Sequence, residues 1–142
     1  MKSLALSVLT GLFLTASAVE GADWKLITQD EDHKYLLLVD QESMKPVSDS
    51  IVRAGVKYEY TKTFSGTREY DCMKCSPKKN VLHTIFLEEF DCAKRKVRIL
   101  ELTEYYTDAV PYTEHRDTAW RHAAPDSADE KLISYICTQG RE

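Results

Sequence analysis

Apolar and polar residues alternate most clearly between positions 51 and 61. Val52, Ala54, Val56, Tyr58 and Tyr60 are separated from one another by charged or small residues. A period of two is typical of a β-strand with one buried face and one solvated face. The pattern therefore predicts a strand whose apolar face contributes to the core.

Other apolar segments predict the rest of a sheet. Residues 23–28 and 34–40 flank a charged turn, and residues 81–91 and 95–106 flank the tight connection Asp91-Cys92-Ala93-Lys94. Each pair is typical of an antiparallel hairpin. A last short strand is predicted near residues 110–114. Residues 41–50, which include Pro46, and residues 64–80 are predicted to be loops.

The periodicity changes near the C-terminus. Ser127 stands three residues before Glu130, so Ser127 can cap a helix while Glu130 reaches back to its start. Apolar residues then recur on one helix face, at Leu132, Ile133, Ile136 and Cys137. The sequence thus predicts an α+β fold: a meander of about six antiparallel strands, with one C-terminal helix packed on a face of the sheet.

The first residues predict export. Lys2 precedes a mostly apolar run at 4–14, and Ala16 and Ala18 are the small residues that signal peptidase selects. The run is shorter than the roughly 20 residues that cross a bilayer. We therefore expect residues 1–18 to be a cleaved signal peptide and residues 19–142 to be one exported domain. Since no cysteine lies in or just after the run, we expect no lipid anchor and no membrane span.

The chain contains four cysteines, Cys72, Cys75, Cys92 and Cys137. An even number in an exported chain favours disulfides. Cys72 and Cys75 are close enough in sequence to pair, which leaves Cys92 with Cys137. The longer bridge ties the predicted helix to the sheet and is expected to stabilise the fold by about 4 kcal/mol, against roughly 2 kcal/mol for the shorter one.

Short motifs follow one another over almost the whole predicted domain. They are Trp24, Asp40 with Ser43-Met44, Val56-Lys57-Tyr58, Asp91-Cys92, Lys96-Val97-Arg98, Trp120, Pro125-Asp126-Ser127, Glu130 and Cys137. Their order resembles the surface-adhesin protein E family of exported bacterial proteins. The resemblance implies a β-sheet with a disulfide-fixed C-terminal helix, and a surface protein that binds host matrix proteins. The chain departs from the family pattern at Gly55, Ala109 and Asp126, and it lacks the lipid-acceptor cysteine of the type adhesin.

The composition and motifs favour binding over catalysis. With 19 basic and 23 acidic residues, the chain lacks the basic surplus of a general nucleic-acid binder. The Cys72-Met73-Lys74-Cys75 motif could exchange thiols, but the following Ser76-Pro77 indicates a loop rather than the helix that lowers a thiol pKa. His83 has no partner at metal-ligand spacing. Glu88 and Glu89 are predicted to lie on a solvated face. We expect no active site and no cofactor.

A basic patch is the candidate site for a protein partner. Its predicted members are Lys94, Arg95, Lys96 and Arg98 at the hairpin turn, with Lys78 and Lys79 nearby. The tyrosine-rich sheet is a second candidate surface. The leading hypothesis is a non-enzymatic exported protein, at the surface or in the periplasm, that contacts host or matrix proteins. The alternatives are a periplasmic structural or accessory protein and a thiol-disulfide oxidoreductase.

Overall fold

The computed structural model describes residues 22–31, 34–64, 81–107 and 109–139. Each of the first six strands in this part of the chain pairs antiparallel with its neighbour in sequence, and the short β7 pairs with β5. The elements are β1 (Trp24–Gln29), β2 (Tyr35–Pro46), β3 (Ile51–Phe64), β4 (Val81–Asp91), β5 (Lys96–Tyr106), β6 (Tyr112–His115), β7 (Arg121–His122) and α1 (Ala128–Gln139). The predicted α+β meander with a C-terminal helix is confirmed.

The core lies between one face of the sheet and α1. As the period of two predicts, Val52, Ala54 and Val56 of β3 are buried in it. They share this core with buried residues of β2, β4, β5 and α1, namely Leu37, Val39, Phe90, Val97, Leu132, Ile133 and Ile136. We call this the helix face of the sheet, and the opposite side the outer face.

A disulfide fastens the helix to the sheet. Cys92 begins the turn between β4 and β5, and it is bonded to Cys137 near the end of α1, with the two Cα atoms 5.6 Å apart. The predicted pairing of Cys92 with Cys137 is confirmed. Cys72 and Cys75, together with the predicted signal peptide, lie outside the described residues.

The start of α1 carries a modified form of the predicted cap. The Glu130 N–H donates to Ser127 Oγ at 3.2 Å, as expected. The carboxylate of Glu130, however, accepts from the Asp126 N–H at 2.6 Å rather than from Ser127. Asp126 adopts a left-handed backbone conformation, with φ of 60°. In a capping box Glu130 would accept from the Ser127 N–H; here the acceptor bond is made one residue earlier in the chain, at Asp126.

The prediction of a loop over residues 41–50 was wrong as far as Pro46, because β2 continues to that residue. Its pairing with β3 shifts between Asp40 and Lys45. Within the shift, Ser43 Oγ donates to the Asp40 carbonyl at 2.8 Å and accepts from the Gly55 N–H at 2.8 Å. A side-chain hydroxyl thus replaces a missing backbone partner, and the strand passes through an irregular stretch.

Candidate binding surfaces

The turn between β4 and β5 is held in place from two sides. The Asp91 carboxylate accepts hydrogen bonds from the backbone N–H groups of Ala93 (3.1 Å) and Lys94 (3.0 Å). Cys92, inside the turn, is bonded to the helix. Arg95 closes the turn with a left-handed backbone, φ 51°. The geometry of the turn is therefore fixed before any partner arrives. We call Lys94, Arg95 and Lys96 the basic turn.

The three side chains of the basic turn differ in how far other groups of the protein engage their charges. The Lys94 side chain is 72% exposed, and its ammonium lies 4.0 Å from Asp91. Arg95 reaches α1, where its Nη2 lies 3.5 Å from Glu130 Oε1 and 3.3 Å from Ser134 Oγ. Within the described part of the chain, Lys96 forms no ion pair. Lys94 and Lys96 thus supply the available positive charge, whereas Arg95 also anchors the turn to the helix.

Arg98 does not add its charge to the basic turn, because partners on the outer face engage its guanidinium. Its guanidinium donates to Glu89 Oε2 at 2.9 and 2.7 Å and to Asp117 at 3.2 Å. The guanidinium carbon also lies 4.9 Å from the Trp120 ring centroid, a cation–π contact. Its charge is therefore largely compensated. Lys78 and Lys79 lie outside the described residues.

A three-residue ion cluster organises the outer face. Glu89 is only 2% exposed, and it lies between Arg98 and Arg53, whose Nη2 donates to Glu89 Oε1 at 2.6 Å. Burial alone would raise the pKa of Glu89, but the hydrogen bonds from both arginines outweigh it and hold that pKa below its ordinary value. The carboxylate is therefore charged, and it links β3, β4 and β5.

The neighbouring Glu88 lies on the helix face. It is also only 2% exposed, its Oε1 lies 3.9 Å from Arg121 Nη2, and its Oε2 has no hydrogen-bond partner. Arg121 makes shorter contacts with Asp129, at 3.0 and 3.2 Å. Burial raises the pKa of Glu88 to about 8, against the lowering effect of Arg121. Burial, and then the charge of Glu88, also raises the pKa of Tyr58 above its ordinary value.

The prediction that Glu88 and Glu89 lie on a solvated face was therefore wrong for both. The sequence contained a signal, because consecutive strand residues point to opposite faces, so one of two adjacent glutamates had to face the helix. Burial of the other depends on Arg53 and Arg98, which come from the two neighbouring strands. Strand register brings these three residues together, and register is not visible in the sequence pattern.

The tyrosines that the structure describes do not form one surface. Tyr58 lies on the helix face, where its ring packs 5.2 Å from that of Tyr35 and 5.5 Å from that of Phe86. Tyr105 stacks on His83 with the ring centroids 4.4 Å apart, and Tyr112 is 40% exposed. The tyrosine-rich character of the sheet thus reflects packing as much as exposure.

An open groove of about 400 Å³ lies between the edge strand β1 and α1. Two hydrogen bonds of α1 lie beside it: Lys131 Nζ donates to Thr28 Oγ1 of β1 at 3.3 Å, and the Tyr135 hydroxyl donates to Gln41 Oε1 of β2 at 3.1 Å. The groove is lined by Lys25, Leu26 and Ile27 from β1 and by Glu130, Lys131, Ser134 and Tyr135 from α1.

The described residues contain neither a metal-binding cluster nor a membrane-spanning helix. No group of three or more His, Cys, Asp or Glu side chains there is arranged to hold a metal ion. No helix in the same part of the chain is both long and apolar enough to span a membrane.

The fold and its surfaces define a class of small, disulfide-fastened α+β proteins with an antiparallel meander and exposed charged turns. The model of one family, surface-adhesin protein E, matches residues 24–138, and the chain belongs to that family. Members of this family are exported proteins of the cell surface, as the sequence predicts for this chain. No protein of curated function matches the sequence.

Solved structures of Haemophilus influenzae protein E share the fold. Three of them superpose with TM-scores of 0.54, 0.55 and 0.55 at sequence identities of 14%, 14% and 15%. The superpositions cover 80%, 85% and 84% of this chain and 94%, 100% and 87% of the respective protein E chains. At this identity the similarity establishes the architecture. Binding properties have to be argued from the residues of this chain.

Proposed function

We propose that this protein is a non-enzymatic surface protein that contacts host or matrix proteins, and that the basic turn forms part of the contact. The observation that supports the proposal best is the presentation of Lys94 on a turn with fixed geometry, with Lys96 beside it at the start of β5. Membership of an adhesin family agrees with a binding role.

Rigidity favours the turn as a recognition element. A flexible loop loses conformational entropy when a partner immobilises it, and that loss weakens binding. Here the Asp91 carboxylate and the bond between Cys92 and Cys137 already restrict the backbone. The side chain of Lys94 remains 72% exposed. A partner therefore has to immobilise little more than the lysine side chains.

The sign of the charge indicates the partner. The whole chain has a formal net charge of -4, so a basic turn is locally unusual and steers acidic surfaces toward itself. Arg98 is expected to contribute little because Glu89 and Asp117 already bind it. Lys78 and Lys79 are not included in the proposed patch. The described part of β4 begins after them, at the end of the strand opposite the turn.

The test is association with a panel of purified extracellular-matrix proteins. Lys94→Glu and the double variant Lys94→Glu/Lys96→Glu are compared with Lys45→Glu, which changes an exposed lysine of β2 by the same charge as Lys94→Glu. We expect at least one panel protein to bind, with an association rate that falls about threefold or more in the turn variants and falls with added salt. The absence of binding across the panel, or equal rates in Lys94→Glu and Lys45→Glu, would contradict the proposal.

A further inference from the structure

We infer that the groove between β1 and α1 binds an extended acidic segment of a partner protein, which adds as a strand to the outer edge of β1. This inference rests on the proposed binding function and names a second, separate part of the contact surface.

The edge of β1 that does not pair with β2 is open to pairing with another strand. In the described residues β1 pairs with β2 on one side and has no strand on the other. The backbone N–H and C=O groups of an edge strand are a template for an added strand. Opposite this edge stands α1, so the groove has a strand as one wall and a helix as the other. Extended peptides dock by strand addition at such exposed edges.

The charges of the groove select an acidic occupant. Lys25 and Lys131 lie on opposite walls and are exposed. Glu130, the acidic residue of the lining, is already engaged by the Asp126 N–H at 2.6 Å and by Arg95 at 3.5 Å. Lys131 contacts the neutral hydroxyl of Thr28. The groove therefore has two lysines whose positive charge is not fully compensated by a carboxylate of the lining. Glutamate or aspartate side chains of a partner would complement these lysines.

The same residues disfavour a second copy of the chain in the groove. Two antiparallel β1 edges would bring Lys25 of each copy toward the other, and like charges across a strand pair are destabilising.

The pairing of β1 with β2 shifts between Leu26 and Thr28, which limits the regular edge of β1 to its first residues. Leu26 is 51% exposed and can contact an apolar side chain. A short segment in which acidic and apolar residues alternate fits these features.

The groove and the basic turn are connected through the helix. Arg95 contacts Glu130 and Ser134, and both of these residues also line the groove. An acidic segment that leaves the groove across this ridge of α1 therefore meets the basic turn next. One acidic partner can engage both surfaces, although each surface can be tested alone.

The experiment measures fluorescence anisotropy of labelled eight-residue peptides in which Glu alternates with Val or Thr. The comparison peptides carry Lys in place of Glu, or carry alternate N-methylated amides that cannot pair with a strand edge. The proteins are the native domain, Lys25→Glu/Lys131→Glu, the control Lys45→Glu, and the turn variant Lys94→Glu/Lys96→Glu. Amide hydrogen exchange of residues 24–27 is followed with and without peptide on the native chain.

We expect the acidic peptides to bind the native domain and to slow exchange in β1. Affinity should fall about tenfold in Lys25→Glu/Lys131→Glu and change less than about twofold in Lys45→Glu. Equal binding of the acidic and lysine peptides, or undiminished binding of the N-methylated ones, would overturn the inference. The peptide and exchange comparisons need no groove variant, so they decide the matter even if that variant misfolds. Loss of matrix binding in the turn variant with no peptide binding would support the basic turn and reject the groove.

Discussion

Glu88 Oε1 and Arg121 Nη2 lie 3.9 Å apart beneath the start of α1, yet the shorter bonds of Arg121 go to Asp129. The other oxygen of Glu88 is buried without a hydrogen bond. A buried, poorly partnered carboxyl favours its neutral form, and the pKa of Glu88 is raised to about 8. At neutral pH the folded protein therefore holds a protonated glutamic acid against the helix.

This arrangement predicts an unusual dependence of stability on pH. The pKa of Glu88 is higher in the folded state, about 8, than its ordinary value of 4.5, so the folded state binds the proton more tightly. The stabilisation that Glu88 contributes is complete below about pH 4.5 and is lost as pH rises through about 8. The loss is on the order of 5 kcal/mol. Chemical denaturation with the disulfide intact, at a series of pH values, measures it.

The matched substitutions are Glu88→Gln and Glu42→Gln, the second at an exposed glutamate of β2. Glu88→Gln cannot ionise, so its stability relative to the native protein should increase as pH rises from 5 to 8. Glu42→Gln should follow the native curve. If the difference between Glu88→Gln and native protein were constant across that range, Glu88 would not titrate as we describe.

The outer-face ion cluster should respond asymmetrically to substitution. Glu89→Ala removes the carboxylate shared by two arginines, so that Arg53 loses this partner and Arg98 keeps only Asp117, at a cost of about 3 kcal/mol. Arg53→Met should cost about 1 kcal/mol, because Arg98 still pairs with Glu89 and Arg53 is 43% exposed. Urea denaturation at pH 7 gives both values. Equal costs for the two variants would show that Glu89 does not depend jointly on both arginines.

The irregular stretch of β2 depends on one hydroxyl. Ser43→Ala removes the group that bonds the Asp40 carbonyl and the Gly55 N–H, and it leaves the latter without that partner. We expect a loss of about 1 to 2 kcal/mol in the free energy of unfolding. Ser48→Ala, at an exposed position in the following turn, is the control and should change stability by less than about 0.5 kcal/mol. Indistinguishable melting curves for the two variants would argue against this role of Ser43.

Removing the helix fastening should be costly. Cys92→Ala/Cys137→Ala is expected to lower the free energy of unfolding by about 2 to 5 kcal/mol, and Cys72→Ala/Cys75→Ala by less. Peptide mapping of the native protein should recover Cys92 joined to Cys137 and, as the sequence predicts, Cys72 joined to Cys75. Recovery of Cys137 joined to Cys72 or Cys75 would contradict the assigned pairing.

The features that the sequence predicted depend on neighbours along the chain. Val52, Ala54 and Val56 reveal their strand by alternation, and Ser127 marks the helix start because a capping hydroxyl acts within three residues. The pairing of Cys92 with Cys137 also followed from cysteine spacing and number.

The features that it missed depend on neighbours across the sheet. Arg98 was placed with the basic turn because it is close in sequence, but strand register sets it opposite Glu89. Likewise, a serine twelve residues from Gly55 bonds the glycine N–H and extends β2 beyond its predicted end. Strand β7 has two residues, too few to show the alternation of apolar and polar residues by which a strand is predicted. Candidate charges could thus be named from sequence, but their availability to a partner could not.

The bond between Cys92 and Cys137 has a consequence for cleavage by proteases. The connection between β5 and β6 contains Val110, which is 84% exposed, and exposed connections are the preferred sites of proteolytic cutting. A cut there would separate β1–β5 from β6–α1 in sequence, but Cys92 and Cys137 lie on opposite sides of it. The two fragments would stay covalently joined, with the helix still bonded to the sheet, until a reductant released them.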